Sequence, residues 1–311
     1  MLSRIANSLF WMGRYLERIE HVARFAKVQH LTSLDAPSSI HKEHVLSSML
    51  EMTWLPNNYC NLTDQEVLFH ISIADSNSLS LLSQLNNARE NARGARDTIS
   101  SELWEAINTY YHKLQQLNRQ KFEPELFVTA VDIILSNSAI IKGLIDNTLF
   151  HSDERALICE GMHLERAIQV NRILLAKLKD INTIEKSNVE SAAELYQWGT
   201  LLKCAESFDM CHRYYRQVPN AKNSLEFLLF NPVFPKSVFY NLVHMKRHLE
   251  KLTTETQDTV NSPVYALGKL IAKYQYTNIA EIENNIEHFI EEQLNEIYAI
   301  AFNIEKKYLS Y

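Results

Sequence analysis

The chain has 311 residues, 46% of them hydrophobic and 22% charged, with 31 Lys and Arg against 37 Asp and Glu for a net charge of -6. That length buries a full core and holds one large domain or two moderate ones. The acidic balance gives no electrostatic footprint for nucleic acid, and the four cysteines, Cys60, Cys159, Cys204 and Cys211, lack any Cys-x-x-Cys spacing, which argues against a zinc or disulfide framework and fits a reducing cytosol.

Six glycines and seven prolines are few for this length and point to long helices. Ser3 is placed to cap a first helix whose apolar stripe runs through Ile5, Leu9, Met12, Leu16, Ile19, Ala23 and Ala26, reaching about His30. Arg14 and Glu17 interrupt the N-terminal apolar run before it attains secretory length, and no stretch approaches the ~18 uninterrupted apolar residues of a membrane span. A cytoplasmic protein without a membrane partner is expected.

A shorter helix ends at Met52, and another covers Asp64 to Ala74. The segment from Ser76 to about Asn118 contains no proline and one glycine, Gly94, and predicts one long helix. Gly94 inside it reads as a point of close packing against a neighbour, because an isolated helical Gly costs about 1 kcal/mol relative to Ala. Glu123 and Pro124 open a helix to about Phe150, and Ser152 or Asp153 caps one running to about Asp180. Further helices are predicted from Ser191 to Gln217 and from Ser237 to about Thr253, the latter after the loop NPVFPKSV, with two more beyond. No strand is needed.

One pattern occurs twice. Gly13, Leu16, Glu17, Arg18 and Arg24 recur 148 positions later as Gly161, Leu164, Glu165, Arg166 and Arg172. A second correspondence, at an offset of 157, relates the serine-initiated segments at Ser80 and Ser237, with Leu85 and Leu242 following each. The expected fold is therefore an all-α bundle or array, a single domain over 1–311 built from two pseudo-symmetric halves, about 1–150 and 151–311.

Residues three, four and seven apart share a helix face, so Arg14, Glu17, His21 and Arg24 form one polar stripe with Arg18 beside it. The second copy reads Met162, Glu165, Gln169 and Arg172, with Arg166 beside it. Adjacent Glu17 and Arg18 diverge by about 100° and pair poorly with each other. Two readings follow: reciprocal structural pairs, Glu17 with Arg166 and Glu165 with Arg18, or a pocket whose guanidinium groups hold a carboxylate or phosphate. Arg89, Arg93 and Arg96, at i, i+4 and i+7 with Glu90 and Asp97 alongside, form a cationic row that is either neutralised by neighbouring glutamates and solvent or binds an anion.

Glu160 and His163 make a single Glu-x-x-His, but the counterparts in the first copy are Met12 and Tyr15, so neither a metal site nor any other cofactor is expected. His41 and His44 around Glu43 read as surface residues. Neither a Gly-rich phosphate loop nor a recognisable nucleophile arrangement is present.

GRYLER near the start, ARENARGARDTISSELWEAIN in the middle, GMHLERAIQVNRIL at the second copy and NPVFPKSV late in the chain together resemble the alpha-E family of bacterial helical proteins, in the same order from Met1 to about Leu252. The family's Glu-Arg motif falls on Glu17 and Arg18 and on Glu165 and Arg166, and its central motif on Ala88 to Arg93. Met162 and His163 depart from the arginines common at those places. The resemblance implies association with a circularly permuted ATP-grasp protein and a transglutaminase-like peptidase, hence with making or processing an amide-linked peptide.

Three functions are compatible with these residues. One is an accessory, non-catalytic protein binding a peptide-ligase-type partner or its anionic product through the Glu/Arg face. Another is an enzyme on an anionic amide or peptide substrate with Glu17 or Glu165 as general base, disfavoured because flanking arginines depress a carboxylate's basicity. The third is a structural scaffold, with assembly into a homo-oligomer left open. The reciprocal-pair reading has a direct test: Arg18→Ala and Glu165→Ala each destabilise in denaturant unfolding, and their combination costs clearly less than the sum. Additive losses show that the two side chains do not interact.

Overall fold

The computed structural model describes residues 3–34, 39–53, 62–117, 122–185, 191–252 and 262–309. Among the described residues every regular element is helical and no strand occurs. The chain forms two compact units, one of residues up to Met162 and one from His163 onward, so the division falls within a helix rather than in the loop before it.

The first unit contains α1 (Ser3–Leu34), α2 (Ser39–Met52), α3 (Asp64–Ser72), α4 (Leu81–Gly94), α5 (Ser101–Leu117), α6 (Pro124–Thr148) and the opening turns of α7 (Asp153–Glu185). α1 packs against α2, α4 and α6, and buries Leu9, Phe10, Met12, Leu16, Ile19, Ala23, Phe25 and Ala26, which contains most of the predicted stripe. Thr63 and Glu66 form a capping box at the start of α3.

The single long helix predicted from Ser76 to Asn118 is instead two. α4 ends at Gly94, Arg96–Thr98 form one 3-10 turn, and Ser100 Oγ accepts from the Leu103 amide (3.1 Å) to open α5. Gly94 also packs closely as expected: a Cβ there would lie 3.2 Å from Ser8 Oγ of α1.

The second unit takes the rest of α7, then α8 (Ser191–Cys204), α9 (Phe208–Tyr215), α10 (Ala221–Phe230), α11 (Val238–Leu252), α12 (Pro263–Tyr276), the short α13 (Ile279–Ile282) and α14 (Ile286–Ile304). The helix predicted from Ser191 to Gln217 breaks because Glu206 turns left-handed (φ 53°), and Arg216 (φ 55°) ends α9. α10, which the sequence reading passed over, starts at Asn220, whose side chain accepts from the Asn223 amide (2.9 Å). α11 packs on α10 and α12, and α12 on α14.

Within the first unit α1 crosses the start of α7 backbone to backbone. A Cβ on Gly13 would stand 2.3 Å from the Ile158 carbonyl oxygen and 3.3 Å from the Met162 amide nitrogen; one on Gly161 would stand 2.1 Å from the Phe10 carbonyl oxygen and 3.2 Å from the Arg14 amide nitrogen. The contacts are reciprocal, position for position, under the offset of 148 that relates the two sequence copies. Only glycine fits both places.

α6 is the one described helix long and apolar enough to cross a bilayer. It carries Asp132, Lys142 and Asp146, and buries Phe127, Ala130, Val131, Ile134, Ile141 and Ile145 in the first unit. The crossing yields a stability prediction. Gly13→Ala and Gly161→Ala each lower unfolding stability by at least ~1–3 kcal/mol through overpacking against backbone. Gly268→Ala, where nothing lies within 4 Å of the added methyl, is neutral or stabilising by up to ~1 kcal/mol.

Candidate functional site

The two Glu-Arg segments are set into different polar surroundings. In the first unit Glu17 is fully buried, with Lys142 Nζ of α6 3.1 Å from its Oε2 and 2.5 Å from Glu20 Oε2. His21 Nδ1 lies 3.0 Å from the Glu17 carbonyl oxygen and 3.5 Å from its Oε1. Because a carbonyl only accepts, Nδ1 carries the proton. Arg14 is buried with its guanidinium 4.3 Å from the centre of the Trp11 ring, and Arg18 leans toward Tyr15 (5.7 Å). Arg24 is half-buried on the same helix. A cavity of about 20 Å³ beside Arg18, also lined by Thr53, Leu79 and Gln84, admits a water and no larger ligand.

Lys142 is the member of this group that spacing along α1 does not reveal. Its signal in the sequence is a lone cation in the apolar run SAIIKGLI, where an unpaired charge is too costly to bury.

The arginine row is rearranged rather than lost. Arg96 lies beyond the end of α4, so the three guanidinium groups do not form the single helical stripe that i, i+4, i+7 spacing predicts. Arg89 and Arg96 instead both approach the Trp104 ring of α5, each 5.9 Å from its centre, and Arg89 also lies 5.0 Å from Tyr111. Arg89 Nε donates to Asn108 Oδ1 (2.7 Å). Glu90 answers Arg89 at 2.9 Å and Arg93 at 2.5 Å. Arg93 remains 65% exposed.

In the second unit Glu165 is fully buried and accepts from Gln169 Nε2 (2.7 Å), while Arg172 is buried one turn further on. Arg166 donates to the Pro235 carbonyl (3.3 Å), so the second Glu-Arg helix and the NPVFPKSV loop meet. That loop is held by Asn231, whose Oδ1 accepts from the Val233 and Phe234 amides, and by Ser237, which donates to the Asn231 carbonyl and caps α11 through the Tyr240 amide (3.1 Å). Asn241 Nδ2 reaches the carbonyls of Pro235 (3.0 Å) and Ser237 (2.6 Å), leaving its Oδ1 to accept from His163 Nδ1 at 2.7 Å. Both Nδ2 partners are carbonyls, so this orientation of the amide is forced, and His163 must carry its proton on Nδ1.

Parts of this scheme recur in the first unit. Ser80 caps α4 through the Ser83 amide (3.1 Å), and Gln84 Nε2 donates to the Ser78 carbonyl (3.3 Å). Under the offset of 157, Ser80 answers to Ser237, Gln84 to Asn241 and Ser78 to Pro235.

His163 belongs to a group the sequence reading did not assemble. Glu160, which makes the Glu-x-x-His spacing with it, is fully buried, and burial pushes its carboxyl well above the usual range. His163 instead stands with His244 and His248 of α11: its ring centre is 5.1 Å from the first and 5.5 Å from the second, both stacked. Tyr240 stacks on His244 in turn (4.1 Å). Burial is the main cause that lowers His163 to about 3, with Arg166 adding to it, and the same causes with Arg247 lower His244. The visible signal was the i, i+4 histidine pair in VHMKRHLE. The side chains of His41, Glu43 and His44 lie outside the described residues, as does Cys60; Cys204 and Cys211 are buried free thiols.

A family model described as Alpha-E, a predicted alpha-helical domain with a conserved ER motif, matches residues 1–309. The chain belongs to the Alpha-E family. Similar curated proteins are an uncharacterised protein of Mycobacterium bovis and two of Mycobacterium tuberculosis, 20%, 20% and 19% identical over 290 residues, which cover 80% of this chain. This Alpha-E chain spans about 30% of the length of those curated relatives. No solved structure matches it.

The Lys142 contact has an energetic consequence. Lys142→Ala leaves two buried carboxylates without their shared cation and lowers stability by about 3 kcal/mol, the low end for a broken buried pair because Lys142 is itself part-exposed. Adding Glu20→Gln recovers part of the loss. An unchanged denaturation midpoint in Lys142→Ala contradicts the pairing.

Proposed function

We propose that this Alpha-E protein is an accessory, non-catalytic helical protein of the cytoplasm that binds a peptide-ligase-type (ATP-grasp) partner or its anionic peptide product through its Glu/Arg face. We infer further that its two halves arose by internal duplication, a reading supported by the reciprocal glycine contacts and the matched Ser80 and Ser237 caps.

The observation that carries the functional reading is the gathering of Arg89 and Arg96 on Trp104 with the exposed Arg93 beside them. Planar guanidinium groups fixed by an aromatic ring and an amide present bidentate donors to carboxylates at little entropic cost. Glu17 and Glu165, by contrast, are wholly occluded and already engaged, which suits a structural role and not a base that must touch substrate. The ligase and the transglutaminase-like peptidase enter as partners through the family resemblance.

Glutamate-rich peptides are expected to raise the unfolding temperature at low salt by mass action, and the effect weakens as salt is added. Arg93→Ala abolishes the shift, and Arg93→Lys restores only part of it because the ammonium lacks the planar fork. A melting temperature indifferent to such peptides at low salt contradicts the anionic-peptide reading.

A further inference from the structure

Among the described residues one group of three side chains has the composition and spacing of a metal site: His163, His244 and His248, whose ligating nitrogens lie within 4.8 Å of one another. We propose that these three imidazoles bind one zinc-class transition-metal dication, leaving a fourth coordination position open to an anionic ligand. This goes beyond the peptide-binding reading and stands on residues of the second unit alone.

Several features of that unit converge on it. His244 and His248 are one helical turn apart on α11, the i, i+4 spacing by which a helix offers two imidazoles to one ion. His163 of α7 supplies the third. Its Nδ1 is committed to Asn241 Oδ1, and Asn241 is itself locked by two carbonyls, so Nε2 is the nitrogen left with a lone pair. A ligating histidine whose second nitrogen is fixed by an oxygen acceptor is the usual outer-shell arrangement of protein metal centres.

All three residues are half-buried, which leaves a route for an ion. Metal–nitrogen bonds of about 2.0–2.1 Å place ligating nitrogens roughly 3.3 Å apart, a closure that rotation of the His244 and His248 side chains supplies. Arg166 and Arg247, the charged neighbours of the group, oppose an isolated dication but favour one that carries a carboxylate or hydroxide in its open position. Three imidazoles with an open fourth position suit zinc and its neighbours rather than magnesium or calcium, which take oxygen ligands. The first copy of the repeat has Tyr15, Asn87 and Asn91 at the corresponding positions, so one ion per chain is expected.

The test uses the untagged full chain, stripped with chelator and titrated with cobalt(II) by absorption spectroscopy and with zinc(II) by elemental analysis after gel filtration. One metal per chain is expected, with the intense visible cobalt bands of a four- or five-coordinate nitrogen site. His244→Asn and His248→Asn each weaken cobalt binding by more than about 100-fold, and Asn241→Ala by about 10–100-fold. The exposed His288→Asn on α14 leaves it unchanged, and circular dichroism verifies that each variant is folded. His163→Gln serves as the second variant should either α11 substitution unfold the chain. Absence of saturable cobalt binding, or binding indifferent to the folded His244, His248 and His163 variants, overturns the proposal.

Discussion

The tightest of the glycine contacts is the crossing of α1 and α7, where carbonyl oxygens stand 2.3 and 2.1 Å from the sites a Cβ would take on Gly13 and Gly161. Helices that meet without side chains between them approach to backbone contact, and the residues flanking the glycines are drawn in with them. Glu17 lies one turn beyond Gly13 and is buried as a result. A buried carboxylate without a cation or donors is prohibitive, and Lys142 of α6 meets that demand while also reaching Glu20.

The second Glu-Arg segment solves the same problem with different groups. Gln169 donates to Glu165, Arg166 donates to the Pro235 carbonyl, and the loop before α11 is stapled to α7 by Asn241 and His163. Where the first unit has Gln84 donating to Ser78, the second has Asn241 donating to Pro235 and, with its remaining oxygen, orienting a histidine. The two segments therefore share caps and backbone anchors and differ in the side chains mounted on them. The arginine and aromatic cluster lies in the first unit, and the three imidazoles in the second.

Much of the fold was legible because it rests on local rules. The alternating four and three spacing of α1, the serines that open α4 and α11, and the prolines that bound α6 and the NPVFPKSV loop all act within a few residues. The failures have equally local causes that composition hides. Gly94 was read as a packing residue inside a continuous helix; it packs on Ser8 and also ends α4. Glu206 adopts a left-handed conformation that nothing in its identity announces. For the sites, the duplicated Glu-Arg pair pointed to the right helices but not to Lys142, Trp104 or His244 and His248, which come from helices distant in sequence. Periodicity says which residues share a face, and only tertiary packing says what that face meets.

Native-state hydrogen exchange tests the glycine crossing most directly. If backbone contact between α1 and α7 organises the first unit, the amides of Gly13, Arg14, Gly161 and Met162 exchange only with unfolding of that unit, as slowly as the slowest amides of α4 and α6. Exchange of these four amides through local opening, well ahead of the α4 and α6 cores, contradicts that role.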